Sequence, residues 1–292
     1  MVHGGGRTAS DSFDTTAAAA FLAKRLDTTM LIAPRFSSSQ GACKDSLASS
    51  EANWGCEDRQ PDTWRNGAGA INDRNLTSFD VIDELLRGLA RKDRFPNMQS
   101  IVVAGHSGGG QFTMRYAMSS TVADDFGVPI SFVVSNPDAL VYFDTLRPTT
   151  AAYPPNAAIP GYGVAPPSEA FAPYTDAHNC GAFNEWPYGL EKRSGYSAPL
   201  NEVTLRTQYV KRNVTYLLGA LDILPLANFD QTCPALAQGP TRLARSLAFA
   251  KYVNERFRAA HKTEVIAGCG HNDRCLFTSA SGLKVLFPES AN

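Results

Sequence analysis

The residues best suited to chemistry lie in one short run, Gly105-His106-Ser107-Gly108-Gly109. It follows four apolar residues, Ile101 to Ala104, that read as a short buried strand. It precedes Phe112 to Met118, which reads as a helix. A G-x-S-x-G sequence set between a strand and a helix is the pattern of a nucleophile elbow, with the serine hydroxyl lifted clear of the sheet at a sharp turn. Small neighbours are required there, because a Cβ at either glycine would strike the adjoining strand or helix. The helix that follows aims its free N–H groups at the same point, where negative charge would develop. Serine is a poor nucleophile at its free pKa, so it needs a base to take its proton and a third group to orient that base. A glycine-rich turn without chemistry is the bland alternative, and the flanking strand and helix argue against it.

The rest of the chain must supply those partners. With 292 residues, 43% hydrophobic and 19% charged, it has the composition of a soluble globular protein within the range of one large α/β unit. The 27 basic and 28 acidic residues nearly cancel, which offers no electrostatic case for nucleic acid or an anionic membrane surface. No apolar run approaches the roughly 18 residues of a spanning helix, and no internal repeat is visible. Six cysteines fall as near pairs, Cys43 with Cys56, Cys180 with Cys233, and Cys269 with Cys275. These read as candidate disulfides and point to an oxidising compartment and a secreted, extracellular protein. Buried free thiols in an intracellular enzyme are the alternative. Asn75-Leu76-Thr77 is a glycosylation sequon in a polar loop, in keeping with secretion. The opening Met1-Val2-His3-Gly4-Gly5-Gly6 has neither the basic nor the apolar region of a signal peptide.

In chain order, Asp11 to Leu26 reads as a helix with apolar Phe13, Ala17, Ala20, Phe21 and Leu22, and Thr29 to Ala33 as a strand. Pro34 to Thr77 is polar and irregular; a Cys43–Cys56 bridge would staple it, and Trp54 and Trp64 read as anchors on the core. Ser78 to Phe95 is a helix with one apolar stripe (Phe79, Ile82, Leu85, Leu86, Leu89) and Thr77 or Ser78 as its cap. Pro129 to Ser135 reads as the next parallel strand, Asn201 to Arg212 as a helix, and Asn213 to Gly219 as a strand. Thr241 to Arg258 reads as a helix and Thr263 to Ala267 as a last strand. Residues 136 to 200 carry ten of the 18 prolines and many aromatic residues, which excludes long helices there.

The order of a His3-Gly4-Gly5-Gly6 loop, helix, strand, helix, strand and G-H-S-G-G turn resembles the α/β-hydrolase superfamily, in particular its serine esterase-like members. The resemblance runs over nearly the whole chain. It implies a mostly parallel sheet with helices on both faces, a core of residues 1–136 and 201–292, and a Pro/aromatic-rich lid at 137–200. Family members carry two or three strands before the HGGG loop, and here only Met1-Val2 precedes it, so the expectation is a sheet without its N-terminal edge strands or a truncated sequence. The HGGG loop would supply the second half of an oxyanion hole, through Gly5 or Gly6, beside the N–H of Gly108.

The superfamily orders its triad as serine, acid, histidine. Of the five histidines, His271 follows the final strand in a glycine-flanked loop, the expected place for the base. His3 belongs to the oxyanion loop and reads as structural. His106 is beside Ser107 and would point away from its hydroxyl. His178 lies in the lid and stays open as a rival, and His261 reads as a solvated helix cap. Asp222, just past a strand end, leads as the acid; Asp138 and Asp144 are rivals, and Asp230 and Asp273 fit less well. Cys269-x-His271-x₃-Cys275 lacks the second pair of ligands that a zinc site wants, so a disulfide bracing the histidine loop is preferred.

The resulting expectation is an esterase with Ser107, His271 and Asp222 as its triad, a small-molecule ester as its substrate, and no call for a cofactor or metal. A lactone, thioester or C–C hydrolase with the same triad, and a non-catalytic binding protein on this fold, are the competing readings. Thiol titration under denaturing, non-reducing conditions is expected to find almost no free cysteine; six free thiols would overturn both the disulfides and the secretion argument.

Overall fold

The computed structural model describes residues 1–6, 8–40, 43–56, 62–149, 171–225 and 229–288. In chain order the main elements are helix α1 (Ala9–Leu22), helix α2 (Ser78–Leu89), strand β1 (Ile101–His106), helix α3 (Gly108–Ser119), strand β2 (Ile130–Ser135), strand β3 (Leu146–Pro148) and strand β4 (Phe171–Pro173). They continue with helix α4 (Glu202–Lys211), strand β5 (Asn213–Gly219), helix α5 (Cys233–Leu236), helix α6 (Arg242–Lys251), strand β6 (Lys262–Ile266), helix α7 (Asp273–Phe277) and helix α8 (Ala280–Leu286). Four strands form a parallel sheet in the order β1-β2-β5-β6. β3 and β4 pair separately as a short antiparallel ribbon.

The sheet is buried on both sides. Phe132, Val134, Val214, Tyr216 and Leu218 face one core with α3, while Ala104, Val133 and Leu217 face the other, beneath α1, α7 and α8. That two-sided burial is why these strands read as continuous apolar runs. All of α3 is buried, sandwiched between the sheet and α4. Trp54 and Trp64 are buried anchors: Trp64 stacks on Phe36, with ring centroids 5.4 Å apart, and Trp54 meets the same ring edge-on. Thr77 caps α2 in a reciprocal capping box with Asp80.

Several expectations need correction. Thr29 to Ala33 forms no strand; the Met1 ammonium donates to the Ile32 carbonyl at 2.7 Å, but no ladder develops. Val2 alone pairs with the sheet, in a single parallel bridge to Gly105. Helix α1 buries Ser12, Thr15, Ala19 and Ala20 and leaves Phe13, Phe21 and Leu22 exposed, because its small face packs closely on α7 and α8. α2 stops at Leu89 and gives way to turns before Pro96, whose ring disfavours helical backbone in the residue ahead of it. The helix expected over 241 to 258 divides into α6 and a π-helical turn, Tyr252–Arg256.

His261 is also misread as a solvated cap. It is buried, its Nε2 lies 2.9 Å from the Tyr209 carbonyl, and its Nδ1 lies 3.2 Å from the Tyr216 hydroxyl. Nε2 donates to the carbonyl, so Nδ1 accepts from the tyrosine. Burial pushes the ring down from its ordinary 6.5 to about 4. The unfolded chain therefore takes up this proton first as pH falls. The stability of the neutral ring is fully present above 6.5 and is lost on the way down to about 4. The amount is roughly 3 kcal/mol. Urea melts of a His261→Gln variant are expected to show a smaller loss of stability between neutral pH and about pH 4 than the wild type. An equal loss would take His261 out of the acid response.

Candidate active site

The site is built on the reversal between β1 and α3. Ser107 occupies φ 57°, ψ −119°, a sparsely populated conformation for a residue with a side chain. Such a conformation costs about 1–3 kcal/mol and persists only where the surroundings enforce it. Here the Ser107 N–H donates to the Ser135 carbonyl at 2.9 Å, locking the turn to the end of β2. The flanking glycines are required sterically. A Cβ on Gly105 would lie 2.2 Å from the Gly109 carbonyl oxygen, and one on Gly109 would lie 2.2 Å from that of Val2.

The Val2–Gly6 segment lies against this turn. A Cβ on Gly108 would come within 3.2 Å of the Gly5 nitrogen, and one on Gly4 within 3.7 Å of the Ser107 Cβ. Gly5 and Gly108 are thus backbone neighbours, whereas Gly6 sits on the exposed outer side of its turn. His3 is fully buried, and its Nε2 accepts the Phe36 N–H at 2.9 Å. Its proton is therefore on Nδ1, which donates to the Gly4 carbonyl at 2.9 Å. Because carbonyl and N–H point oppositely across a trans peptide, that bond turns the Gly5 N–H away from His3. Gly108 opens α3, so its own N–H has no intrahelical acceptor. Arg65, buried against the Trp64 ring, reaches the same spot: its Nε would lie 2.8 Å from a Gly108 Cβ.

His271 Nδ1 is 2.8 Å from Oδ2 of Asp222, which is 2% exposed and so accepts from the ring. This fixes the tautomer and leaves Nε2 as the nitrogen with the lone pair. The other carboxylates are engaged elsewhere. Asp138 binds Arg242, Asp144 binds Arg256, Asp230 accepts from the Tyr188 hydroxyl, and Asp273 accepts from Thr15. His178 is exposed beside Asp176.

His106 is more than a spacer. Its ring centroid is 4.5 Å from that of His271, and its Nε2 is sealed from solvent with no hydrogen-bond partner among the described residues. Burial, then the neighbouring His271 and Arg242, hold it well below the usual histidine range, so it stays neutral. The loop carrying His271 is closed by the Cys269–Cys275 disulfide, and the Leu221 N–H donates to the Cys269 carbonyl at 2.9 Å. Both sulfurs are taken up by that bond. Cys43–Cys56 and Cys180–Cys233 also lie at disulfide distance, as the sequence pairing anticipates.

Over residues 1–283 the chain matches the Alpha/beta hydrolase family. It belongs to that family. The chain also resembles solved structures at the level of the fold. One is the poly(3-hydroxybutyrate) depolymerase LpqC from Bordetella parapertussis, with TM-score 0.61 and 19% identity, covering 98% of this chain and 81% of that one. Another is the poly(aspartic acid) hydrolase-1 from Sphingomonas sp. KT-1, with TM-score 0.59 and 17% identity, covering 98% and 86%. No curated protein matches the hydrolase by sequence.

Sequence reasoning missed three residues beside this candidate site: Arg65, Arg242 and Asn136. Arg242 stands in what reads as an ordinary amphipathic helix, and Arg65 in an irregular segment. Asn136 follows β2 at φ 40°, and its amide joins the two halves of the site. Its Oδ1 accepts the Gly219 N–H at 2.9 Å, and its Nδ2 donates to the Gly270 carbonyl at 3.0 Å. Gly219 leads into Asp222, and Gly270 precedes His271. An Asn after a strand end, two residues before Asp138, carries no sequence signal of this kind. Asn136→Asp keeps the acceptor but sets a carboxylate against the Gly270 carbonyl. It is expected to cost about 1–3 kcal/mol of stability and to slow labelling by a fluorophosphonate at least about tenfold. Labelling at the wild-type rate would show that this amide does not position the histidine loop.

Proposed function

We propose that this protein is a serine hydrolase that cleaves carboxylic esters through an acyl-enzyme. One juxtaposition carries the reading: a serine held at φ 57° between strand and helix, next in sequence to the histidine that packs on the His271–Asp222 pair. In this reading Ser107 attacks the ester carbonyl while His271 Nε2 takes its proton. Asp222 steadies the imidazolium that forms. The oxyanion is received by the N–H groups of Gly108 and Gly5, with Gly6 at the outer lip. Each such donor is worth about 3 kcal/mol in the transition state. His271 then returns the proton to the leaving alcohol, and water releases the acyl group by the reverse path. Each step uses groups of the chain itself and a small ester substrate.

Residues 137–200 are the lid in this proposal, with residues 150–170 lying outside the described part. β4 and the turns from Tyr174 to Gly189 carry several of its aromatic residues, among them Phe171, Tyr174, Phe183 and Tyr188. The neighbours' names refer to poly(3-hydroxybutyrate) and poly(aspartic acid), so a shared fold spans different substrates and selectivity falls to such local residues. The cysteine pairs support an oxidising, extracellular setting for the enzyme.

Fluorophosphonate labelling followed by peptide mapping tests the reading. The adduct is expected on Ser107. Ser107→Ala and His271→Ala are expected to lower p-nitrophenyl ester hydrolysis by at least about 10³-fold without unfolding the protein. Retained turnover in Ser107→Ala would sink the assignment.

A further inference from the structure

The buried charges of the site do not end at Asp222. Its second oxygen, Oδ1, faces Nη1 of Arg242 at 3.6 Å, close enough for an ion pair but too far for a hydrogen bond. The same guanidinium donates through Nε to Oδ1 of Asp138, at a much closer approach. The Arg242 side chain is fully buried, and Asp138 and Asp222 are 6% and 2% exposed. Toward these two carboxylates Arg242 is unequal, tight on Asp138 and loose on Asp222.

That division matters because Asp222 also serves His271. A lone buried guanidinium beside a carboxylate would close onto it with a bidentate grip, since charge attraction is strong where water is excluded. Asp222 would then offer less charge to the imidazolium. Asp138 offers Arg242 a better-placed partner and so prevents this. Arg245 holds the arrangement from behind, donating to the backbone carbonyls of Asp138, at 2.6 Å, Asp230, at 2.9 Å, and Gly239, at 2.8 Å.

We propose that Asp138 and Arg242 are positioning residues that set the pH at which His271 works as a base. The proposal rests on the Ser107–His271–Asp222 reading above. The groups around His271 are Asp222 from the turn after β5, neutral His106 from β1, Asp138 from the segment after β2, and Arg242 from α6. Counting only Asp222, Asp138 and Arg242, the net charge beside the imidazole is −1. Asp138→Asn makes it zero and removes the carboxylate that draws Arg242 away from Asp222, so protonation of His271 becomes harder. Arg242→Gln removes the positive charge that faces Asp222, so protonation becomes easier. The two variants must shift the acid limb in opposite directions. A merely structural ion pair would lower activity in both without moving the limb.

The test is the second-order rate of fluorophosphonate labelling against pH, in the full chain, for wild type, Asp138→Asn, Asp138→Glu, Arg242→Gln and His271→Ala. The acid limb is expected to move down by about one pH unit in Asp138→Asn and up by about as much in Arg242→Gln. The plateau rate in Asp138→Asn falls roughly threefold, as a weaker base requires. Asp138→Glu, which restores the charge, returns the limb to near its wild-type position. A folded Asp138→Asn or Arg242→Gln with an unmoved limb, or both limbs moving the same way, overturns the proposal. If one variant does not fold, the sign of the other decides; if neither folds, the pair is structural and the proposal falls. His271→Ala separates the levels: a wild-type limb that persists in it defeats the triad reading itself, whereas a limb lost in it but unmoved in the others defeats only this inference.

Discussion

Everything in the site depends on the reversal of the chain at Ser107. A strand and a helix can meet at so sharp a corner only if their backbones touch, and Gly105 and Gly109 remove the side chains that would forbid it. The strain at Ser107 is then carried by the sheet, through its N–H bond to Ser135, and by α3, which is buried along its whole length. The same close approach brings the Val2–Gly5 backbone against the start of α3. The corner that exposes the serine therefore also assembles the amide donors beside it.

The remaining groups are delivered by adjacent strand ends. In a parallel sheet the carboxyl ends of neighbouring strands lie on one edge, so β1, β2, β5 and β6 release Ser107, Asn136, Asp222 and His271 onto a common rim. Loops on such a rim would drift without ties. Asn136 joins the turn after β5 to the loop after β6, and the Cys269–Cys275 bond closes the latter. His3 does the same for the glycine loop by fixing one peptide plane.

Burying charged groups is costly unless they are paired or held neutral. His106 is kept neutral, Asp222 faces His271 and Arg242, and Arg242 is shared with Asp138. Burial pushes the Asp138 carboxyl upward, and Arg242 pulls it back. Such a set acts as a unit, because in a dry interior no member can change its charge without being felt by the others.

Much of this was legible in the residues alone. The glycine pattern around Ser107 follows from hard-sphere contact, and the apolar runs of β1, β2 and β5 follow from burial on both faces; both are local properties that a sequence carries directly. The expectation for Asp222 and His271 comes from the resemblance, which implies an acid and a base after successive strand ends. What the sequence did not reveal is what depends on which surfaces meet. Phe13, Phe21 and Leu22 look like the core face of α1, yet the close packing of α7 and α8 takes the small residues instead. Thr29 to Ala33 has the composition of a strand but finds no strand to pair with among the described residues. His261, Asn136 and Arg242 are polar residues whose burial is decided by distant partners: the Tyr209 carbonyl, Gly270 and Asp138. Local sterics and hydrophobic period are written in the chain, whereas the partners of a buried polar group are chosen only when the tertiary structure closes around it.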